Sequence, residues 1–540
     1  MKQLWSQEFR VLLVAALTLA GGLPAWAANK DGNVQVTHDS KHDVSPPLRQ
    51  MALTAALKGG EGLEKFEKEE LRPPKGYLTA VPGNDPVVQE RYLPQVAIKR
   101  GLSFDGINHL EAPDFPPDTN GTVGATQFVE QAGAALQVYD KATGKALLPK
   151  PVAIDTLFQG FGGLCETTNG GDSVVLWDKL AQQWFVSQLG DTQNNPPYFL
   201  CIAISTTADA TGSYYRYSFA AGQNLPDYPK YGVWPDAYYG SSNVFNLALG
   251  KYYGAQPCAF DRAAMLAGQA ATMICMTANA ANFTLLPSDL DGQTLPPSGE
   301  PNHYVELGSQ TNELNEFDFH VDFVNPQNST FTGPNVIAVP NYLLPCNDGP
   351  RCVPQPSPGE NVDALSGRLM FRLAYRNFGD HESMVATNAV APGTGSTAAA
   401  AVRWYELRST GGAFSLYQSG TYQSANDNLW MPSIAMDKDG DIAMGMSADS
   451  ATSLDTSVWY TGRAPSDPLG QMEAPRVAVK GSAVQVNGSN RWGDYSSMSV
   501  DPSDDCTFWY TQEYYKSKVG GAESNDFSTH IVSFRFPQCQ

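Results

Sequence analysis

Aspartates recur at one kind of position along this chain, directly before a short apolar run and in several copies after an aromatic residue. The copies are, in chain order, Pro117-Asp118, Gly171-Asp172-Ser173, Trp234-Pro-Asp236, Phe378-Gly-Asp380-His-Glu-Ser383-Met and Trp492-Gly-Asp494-Tyr-Ser-Ser497-Met. If these carboxyls converge on one surface, their repulsion raises some of their pKa values unless a cation or an arginine compensates. Such convergence is typical of a site for chemistry.

Two kinds of chemistry fit a carboxylate cluster. Carboxylate oxygens bind Ca²⁺, and Asp118 and Asp172 are the candidate ligands. Two carboxyls at a suitable separation also act as acid and base, or as acid and nucleophile, in glycoside cleavage; the candidates are Asp236, Asp380 and Asp494. The alternative is structural, because an aspartate before a strand often accepts hydrogen bonds from backbone N–H groups of a turn.

Other candidate residues stand beside these aspartates. His381 is a candidate general base oriented by a carboxylate, or otherwise a solvated histidine at the start of a strand. Arg376 and Arg491 could clamp a carboxylate or sugar hydroxyls, or otherwise form salt bridges to nearby aspartates. The remaining candidates for binding a substrate are the aromatic and acidic residues Trp234, Trp430, Trp492, Glu513 and Tyr514.

The elements that would position these residues follow a repeated hairpin pattern. An apolar run, an Asp-bearing turn and a second apolar run occupy 173–187, 433–447 and 497–511 with the same 14-residue spacing. Turn residues separate many other short β-rich runs, whereas helical patterns are scarce. One hairpin template reused far apart predicts an all-β radial repeat, a β-propeller.

The number of blades follows from the repeated anchors. Anchors near positions 118, 172, 236, 303, 380, 432 and 494 indicate seven blades, and the weaker copies near 118 and 303 leave six or eight open. Ring closure is expected to pair the run Ile531–Phe536 with strand material near Ile98–Phe104, because closure removes exposed sheet edges.

The chain divides into three parts. Residues 1–27 have the basic start, apolar run and Ala25-Trp-Ala27 cleavage pattern of a secretory signal peptide, which predicts a secreted or periplasmic protein. Residues 28–96 are polar and charge-rich, and predict a largely flexible leader or linker. Residues 97–540 form the predicted propeller domain.

Charge and cysteine content narrow the partners and the compartment. A formal net charge of −20 disfavours nucleic acid, and no later apolar run is long enough to span a membrane. Eight cysteines, with no CxxC motif, are typical of disulfides in an oxidising compartment. The expected pairs join sequence neighbours, namely Cys165–Cys201, Cys258–Cys275, Cys346–Cys352 and Cys506–Cys539, although sequence alone does not determine the pairing.

One stretch of sequence also resembles a known set of proteins. The run Asn490-Arg-Trp-Gly-Asp-Tyr-Ser-Ser-Met-Ser-Val-Asp-Pro502 is similar to a motif of secreted bacterial propeller-like proteins of mostly unassigned activity. Tyr228-Pro-Lys-Tyr-Gly-Val-Trp-Pro-Asp236 and Arg376–Ser383 are similar to motifs of the same set, and the likeness covers most of the chain after residue 97. It implies the fold, which distantly resembles that of sialidases, but no Ser-x-Asp-x-Gly-x-Thr-Trp box is present and no catalytic residue is carried over.

Two functions are consistent with these patterns. The first is action on an extracellular glycan, by hydrolysis or lysis, in an acidic central funnel with an aromatic rim. The second is non-catalytic binding of a surface glycan or a surface protein. Propellers host both, so the sequence leaves open whether the protein is an enzyme. Carboxyls about 5–9.5 Å apart on an open pocket would favour hydrolysis, whereas carboxyls tied to backbone amides would favour binding or structure.

Overall fold

The described residues form an almost entirely β structure. The computed structural model describes residues 34–55, 71–96, 98–112, 114–191, 195–516 and 527–540. The predicted signal peptide lies outside them. The α-helices are short, at Leu48–Thr54, Leu164–Thr167 and Arg262–Leu266, and the 3-10 helices are Ile154–Phe158, Leu247–Leu249, Pro326–Asn328 and Pro345–Asp348. No described helix is long and apolar enough to cross a membrane.

The strands form seven antiparallel four-stranded meanders, which we number as blades 1–7. The innermost strands are Asn120–Val123, Val174–Asp178, Leu225–Val233, Leu286–Asp291, Met370–Asn377, Asn428–Met436 and Ser497–Val500. The second strands are Gln127–Ala132, Gln183–Gly190, Tyr238–Asn246, Asn302–Leu307, Glu382–Val390, Ile442–Asp449 and Phe508–Tyr515. The third strands are Ala135–Asp140, Tyr198–Ser205, Lys251–Phe260, Glu313–His320, Ala401–Ser409, Ser457–Arg463 and Phe527–Arg535. The fourth strands are Val152–Ala153, Tyr214–Gly222, Thr272–Met276, Thr330–Ala338, Ser415–Tyr422, Arg476–Val479 and Lys99–Asn108.

The three predicted hairpins are the inner hairpins of blades 2, 6 and 7. Their registers pair Ser187 with Val174, Gly445 with Ser433, and Thr511 with Ser497. The aspartate in the turn has a local role: Asp178 Oδ1 accepts hydrogen bonds from two successive backbone N–H groups, at 3.0 Å each. This Asx-type turn explains why the template carries an aspartate between its apolar runs.

The innermost strands close into a ring around a central channel. Each lies beside the next, and the strand of blade 7 lies beside that of blade 1. Polar side chains bridge neighbours: the Val175 amide donates to Asn120 Oδ1 at 2.9 Å, and Ser497 Oγ donates to the Gly121 carbonyl at 2.7 Å. The predicted all-β propeller is thereby confirmed.

The hydrophobic cores lie between successive blades. One core joins Val129 and Leu136 of blade 1 to Val175 and Trp184 of blade 2, all of them at most 1% exposed. Each sheet therefore buries both of its faces against its neighbours. Burial of apolar side chains between neighbouring sheets therefore holds the blades side by side around the ring.

Ring closure occurs where the sequence predicted it. Phe527–Arg535 pairs antiparallel with Lys99–Asn108, and Ile531 lies opposite Phe104. The last blade thus takes its outer strand from the beginning of the propeller segment. Glu130 of blade 1 reinforces the junction, since its carboxylate accepts from the Ile107 amide at 2.9 Å and from Thr511 Oγ1 at 2.6 Å.

The segment predicted as a flexible leader contributes strands to the blades. Val34–His38 pairs with the outer strand of blade 3, Lys41–Val44 pairs with that of blade 2, and Val88–Gln89 pairs with that of blade 5. The helix Leu48–Thr54 buries Leu48 and Met51 in the core between blades 1 and 2. Outer blade edges have unpaired backbone groups, which explains why short polar strands bind there.

All four expected disulfides are present: Cys165–Cys201, Cys258–Cys275, Cys346–Cys352 and Cys506–Cys539. Cys258–Cys275 links adjacent strands of blade 3, whereas Cys165–Cys201 links the helix Leu164–Thr167 to the third strand of blade 2. Cys506–Cys539 ties the end of the chain to the inner hairpin of blade 7. Four such bridges are typical of a protein from an oxidising compartment.

Replacing Cys506 and Cys539 together by alanine should lower the free energy of unfolding by about 3–4 kcal/mol, because the bridge closes a long loop. Its separation is 33 residues, against 6 for Cys346–Cys352. The matched double variant Cys346→Ala, Cys352→Ala should cost only about 2 kcal/mol. Urea unfolding monitored by tryptophan fluorescence measures both, and equal losses would contradict the loop-closure argument.

Candidate functional site

The predicted acidic anchors lie on two opposite faces of the ring. Innermost strands begin at the face that we call upper and end at the lower face. Asp118, Asp172 and Asp494 directly precede innermost strands and lie on the upper face. Asp236 and Asp380 instead occupy turns between first and second strands, on the lower face, so the predicted single funnel of five aspartates does not form.

The three upper aspartates converge on a buried lysine, Lys230, at the beginning of the regular part of the innermost strand of blade 3. The Lys230 side chain interacts electrostatically with Asp172, Asp118 and Asp494, and Lys230 is 1% exposed. We call these four residues the upper mouth. Burial lowers the pKa of Lys230 to about 8, and the carboxylates oppose that shift.

Two tyrosines enclose the Lys230 amine. Its Nζ lies 3.6 Å from the ring centroid of Tyr228 and 3.9 Å from that of Tyr495, within the range of cation–π attraction. The rings meet edge to face at 5.6 Å, and the Tyr228 hydroxyl donates to the Asp494 carbonyl at 3.2 Å. These contacts stabilise a cation that has little access to water.

The backbone at the upper mouth adopts an unusual conformation. Asp118, Asp172, Tyr228 and Asp494 have φ values of 50°, 49°, 54° and 43°. Non-glycine residues seldom adopt this left-handed region, and such residues cluster at functional sites. Asp172 Oδ2 accepts a hydrogen bond from the Tyr228 amide at 3.1 Å. The left-handed residue before blade 2 thus holds the left-handed residue of blade 3 in place.

One basic group and one further acidic group lie beside Asp494. Arg491 forms a two-bond ion pair with the Asp494 carboxylate, with Nε 3.1 Å from Oδ1, and both residues are buried. Glu513 is fully buried, and the described residues give its carboxylate oxygens no hydrogen bond of standard geometry, although the Gly493 backbone lies close enough to favour the ionised form. Burial and then the charge of Asp494 raise the pKa of Glu513 well above its usual range.

A small cleft opens beside Asp118 and Asp172. It measures about 20 Å³ and is lined by Asn169, Gly170 and Gly171 together with the two aspartates. Asn169 Nδ2 donates to the Ala134 carbonyl, whereas its Oδ1 is buried and has no hydrogen-bond partner in the described part of the chain. A cleft of this size admits a hydroxyl or hydroxymethyl group rather than a whole sugar ring.

The Ca²⁺ site that the sequence suggests at Asp118 and Asp172 stays a prediction, and Lys230 competes with it for the same carboxylates. Ca²⁺ takes six to eight oxygen ligands. Here the Lys230 ammonium already supplies the positive charge among Asp118 and Asp172. The two aspartates are therefore better described as partners of an amine than as metal ligands.

The predicted aromatic rim is wrong. Trp234, Trp430 and Trp492 are 0–1% exposed, because these indoles pack in the cores between blades. Trp430 and Trp492 contact each other at 5.7 Å, and Trp234 meets Tyr375 at 4.7 Å on the lower face. None of the three can stack on a ligand.

The other predicted residues also lie away from the upper mouth. His381 and Asp380 pair at 2.7 Å in an exposed turn of the lower face. Arg376 forms a two-bond ion pair with Asp505, also at the lower end of the channel, at 2.7 and 2.8 Å. Tyr514 is buried and donates to Asp105 at 2.9 Å. Of the predicted residues, only Asp494 and the charged or acidic groups beside it, Arg491 and Glu513, join Asp118 and Asp172 around the upper mouth.

The channel below the upper mouth is filled. Arg372 pairs with Asp289 and Asp291 at 2.8 and 2.6 Å, and Lys179 lies among the same charges. A cavity of about 30 Å³ lies beside these ion pairs. A polymer therefore cannot pass through the ring, and any ligand of the upper mouth must bind from outside.

Sequence reasoning missed Lys230 and Tyr228, although the run Tyr228-Pro-Lys-Tyr-Gly-Val contains both. The anchor of blade 3 was assigned to Asp236 because Trp234-Pro-Asp236 matches Trp492-Gly-Asp494. That match is misleading, because Asp236 follows the innermost strand of blade 3 whereas Asp494 precedes the innermost strand of blade 7. The signal that distinguishes them is the apolar run Tyr231–Val233, which precedes Trp234 instead of following it.

Comparisons with known proteins give a likeness in structure only. No family model and no curated protein matches the chain. An endo-arabinase from Bacteroides thetaiotaomicron is 12% identical, covers 68% of this chain and 94% of its own, and has a TM-score of 0.27. The GH93 alpha-L-arabinofuranosidase of Fusarium graminearum, complexed with arabinobiose, is 7% identical, covers 84% and 97%, and has a TM-score of 0.35. The phage phi92 endosialidase is 9% identical, covers 78% and 66%, and has a TM-score of 0.31.

The lowered pKa of Lys230 predicts how stability depends on pH. The unfolded chain binds this proton up to its ordinary pKa of 10.5, whereas the folded chain releases it near 8. Between these values the unfolded state holds more protons, so the contribution of Lys230 to the free energy of unfolding rises with pH. Wild type should gain on the order of 1–3 kcal/mol over Lys230→Met between about pH 7 and 10.

Urea unfolding at a series of pH values measures this difference. The exposed Lys145 gives the matched control, since Lys145→Met should track wild type at every pH. A constant gap between wild type and Lys230→Met across the series would contradict a buried, low-pKa amine.

Proposed function

We propose that the upper mouth binds an extracellular glycan, with Asp118 and Asp172 as the residues that contact sugar hydroxyls. The observation that carries the proposal is the convergence of three carboxylates from three blades on one buried amine. Lys230 places a positive charge beside these carboxyls, and an ionised carboxylate is a strong acceptor for hydroxyl donors. The buried acceptor Asn169 Oδ1 lines the same cleft.

The contacts of the carboxyls support binding rather than cleavage. Asp172 accepts from a backbone amide, and Asp494 is held by Arg491. Groups engaged in this way are poor proton donors or nucleophiles, because reaction would break the interactions that hold them. The upper mouth is preorganised to accept hydrogen bonds without moving, which favours affinity.

Charge narrows the ligand class. The chain carries a formal net charge of −20, and the cleft is lined by three aspartates, Asp114, Asp118 and Asp172. Like charges across an interface are unfavourable, so neutral or amino sugars fit better than sialic or uronic acids. The small cleft takes one hydroxyl or hydroxymethyl group, while the rest of the sugar would lie across the outer surface.

One observation favours glycoside hydrolysis as a second candidate function. Glu513, whose pKa is raised, lies beside Asp494, whose carboxylate forms an ion pair with Arg491. Two carboxyls whose environments separate their pKa values are the pattern of an acid and a base. Glu513 is fully buried behind Gly493, so hydrolysis would require the loop around Gly493 to open.

Asp118→Asn and Asp172→Asn should each weaken glycan binding about tenfold or more, since each replaces a charged acceptor by a neutral one. Asp380→Asn is the matched control on the lower face and should bind as wild type does. Binding of the full mature chain to an array of neutral, amino and acidic oligosaccharides, followed by calorimetry on the strongest ligand, measures the effect.

An equal loss of glycan affinity in Asp380→Asn, or unchanged affinity in both upper variants, would overturn the proposed binding site.

The same oligosaccharides, incubated with wild type and with Glu513→Gln, test the second candidate function, glycoside hydrolysis. Release of new reducing ends by wild type but not by Glu513→Gln would establish hydrolysis. Release by neither would exclude it for the sugars that bind.

A further inference from the structure

A second cluster of titratable groups lies on the lower face, between blades 4 and 5, apart from the upper mouth. His303 opens the second strand of blade 4, and Glu382 opens that of blade 5. Glu300 precedes His303 by three residues, and Glu316 and Asp318 come from the neighbouring third strand. His303, Glu316 and Glu382 are buried to at least 96%. One imidazole therefore stands among four carboxyls.

The two ring nitrogens of His303 have different surroundings. Nδ1 lies 2.8 Å from Asp318 Oδ1 and 3.0 Å from Glu316 Oε1, in hydrogen-bond geometry with both. Nε2 is buried and makes no hydrogen bond with any described residue. It lies 3.2 Å from Glu300 Oε1, but without the angles of a hydrogen bond.

The spacing on the Nε2 side matches the ligands of one metal ion. His303 offers one ring nitrogen, and Glu300 and Glu382 each offer an oxygen, all within 4.8 Å of one another. Ligand atoms about 2.0–2.2 Å from a tetrahedral ion lie roughly 3.3–3.5 Å apart. The 3.2 Å separation of Nε2 and Glu300 Oε1 is close to that value.

The groups around these three residues would orient them as ligands. A metal-binding histidine usually donates its other ring N–H to a carboxylate, as His303 Nδ1 can to Asp318 and Glu316. The Tyr375 hydroxyl donates to Glu382, and Trp234 Nε1 donates to the Glu300 carbonyl at 3.2 Å. Phe414 packs against the imidazole ring at 4.7 Å and covers one of its sides.

We propose that His303 Nε2, Glu300 and Glu382 bind a divalent transition metal ion of the Zn²⁺ class, with a fourth position left for water or an exogenous ligand. Imidazole together with carboxylates suits such ions, whereas Ca²⁺ prefers oxygen ligands alone. Glu300 is the most accessible of the three, with its side chain 25% exposed, and marks the side from which the ion enters.

Charge and protonation are consistent with a bound cation. Burial disfavours the ionised forms of Glu316 and Glu382 and raises the pKa of both. A nearby cation would offset this cost of ionisation. Burial lowers the pKa of His303, but the carboxylates of Asp318, Glu300 and Glu316 around the imidazole outweigh burial and raise that pKa well above its usual value. Zn²⁺ would displace the proton from Nε2, so binding should release about one proton.

Calorimetry with Zn²⁺ alone tests the site on the full mature chain after chelator treatment. One equivalent should bind, with an enthalpy that depends on the ionisation enthalpy of the buffer because a proton is released. Glu300→Gln and Glu382→Gln should each weaken binding by at least tenfold, and Asp318→Asn by about tenfold through loss of a partner of Nδ1. Glu313→Gln, on the same strand as Asp318 but at its other end, should leave binding unchanged.

Thermal unfolding of each variant separates loss of ligands from loss of fold. Glu300→Gln should keep the wild-type melting temperature, so its weaker binding would report the missing ligand even if Glu382→Gln unfolds. Co²⁺ bound in place of Zn²⁺ should give visible absorption that Glu300→Gln weakens. No binding of Zn²⁺, equal binding in both ligand variants, or ring ¹⁵N signals of His303 that stay doubly protonated at saturating Zn²⁺ would overturn the proposal.

Discussion

A lysine amine buried at the axis of the ring is the interaction on which the rest of this structure depends. Placing Lys230 out of water is costly unless opposite charges surround it. Those charges come from blades 1, 2 and 7, while the lysine comes from blade 3. The carboxylates of blades 1 and 2 and the lysine come from consecutive blades. Asp494 of blade 7 joins them only when the ring closes through strand pairing at the outer edge of that blade. The left-handed residues at the mouth are held in place by the same contacts.

The two faces of the ring thus differ in their chemistry. At the upper face, carboxylates face an amine and a small polar cleft, which suits the acceptance of hydrogen bonds from a neutral ligand. At the lower face, His303 stands among an excess of carboxyls, which suits a metal cation. The channel between them is filled by the ion pairs of Arg372, so the two sites would work independently.

Much of the fold could be predicted because it rests on local spacing. The three hairpins and the four disulfides join segments that the sequence marks by periodicity or proximity. The pairing of Ile531 with the strand near Phe104 could be predicted for a different reason, because a closed ring leaves no exposed sheet edge. The edge strand Val34–His38 carried a signal too, since Val34 and Val36 alternate with polar residues and pack against a core. Its polar composition outweighed that alternation in the sequence interpretation.

The sites were harder to predict because each is assembled from distant segments. A Trp-x-Asp run occurs both before an innermost strand, at Asp494, and after one, at Asp236, and sequence alone does not tell upper from lower. The indoles of Trp430 and Trp492 were expected at a rim, yet apolar burial between blades draws them inside. Lys230 acquires its role from carboxyls of three other blades. His303 has Glu300 three residues before it, but its other carboxyl partners lie on a neighbouring strand and a neighbouring blade, which spacing along the chain does not reveal.

A double-mutant cycle between Lys230→Met and Asp172→Asn measures the central interaction most directly. If the amine and the carboxylate interact across blades 2 and 3, the two losses of unfolding free energy should be non-additive by about 1 kcal/mol or more. The parallel cycle with Asp380→Asn, on the lower face, should be additive. Additive losses in the Asp172 cycle would mean that these charges do not meet, and would contradict the account.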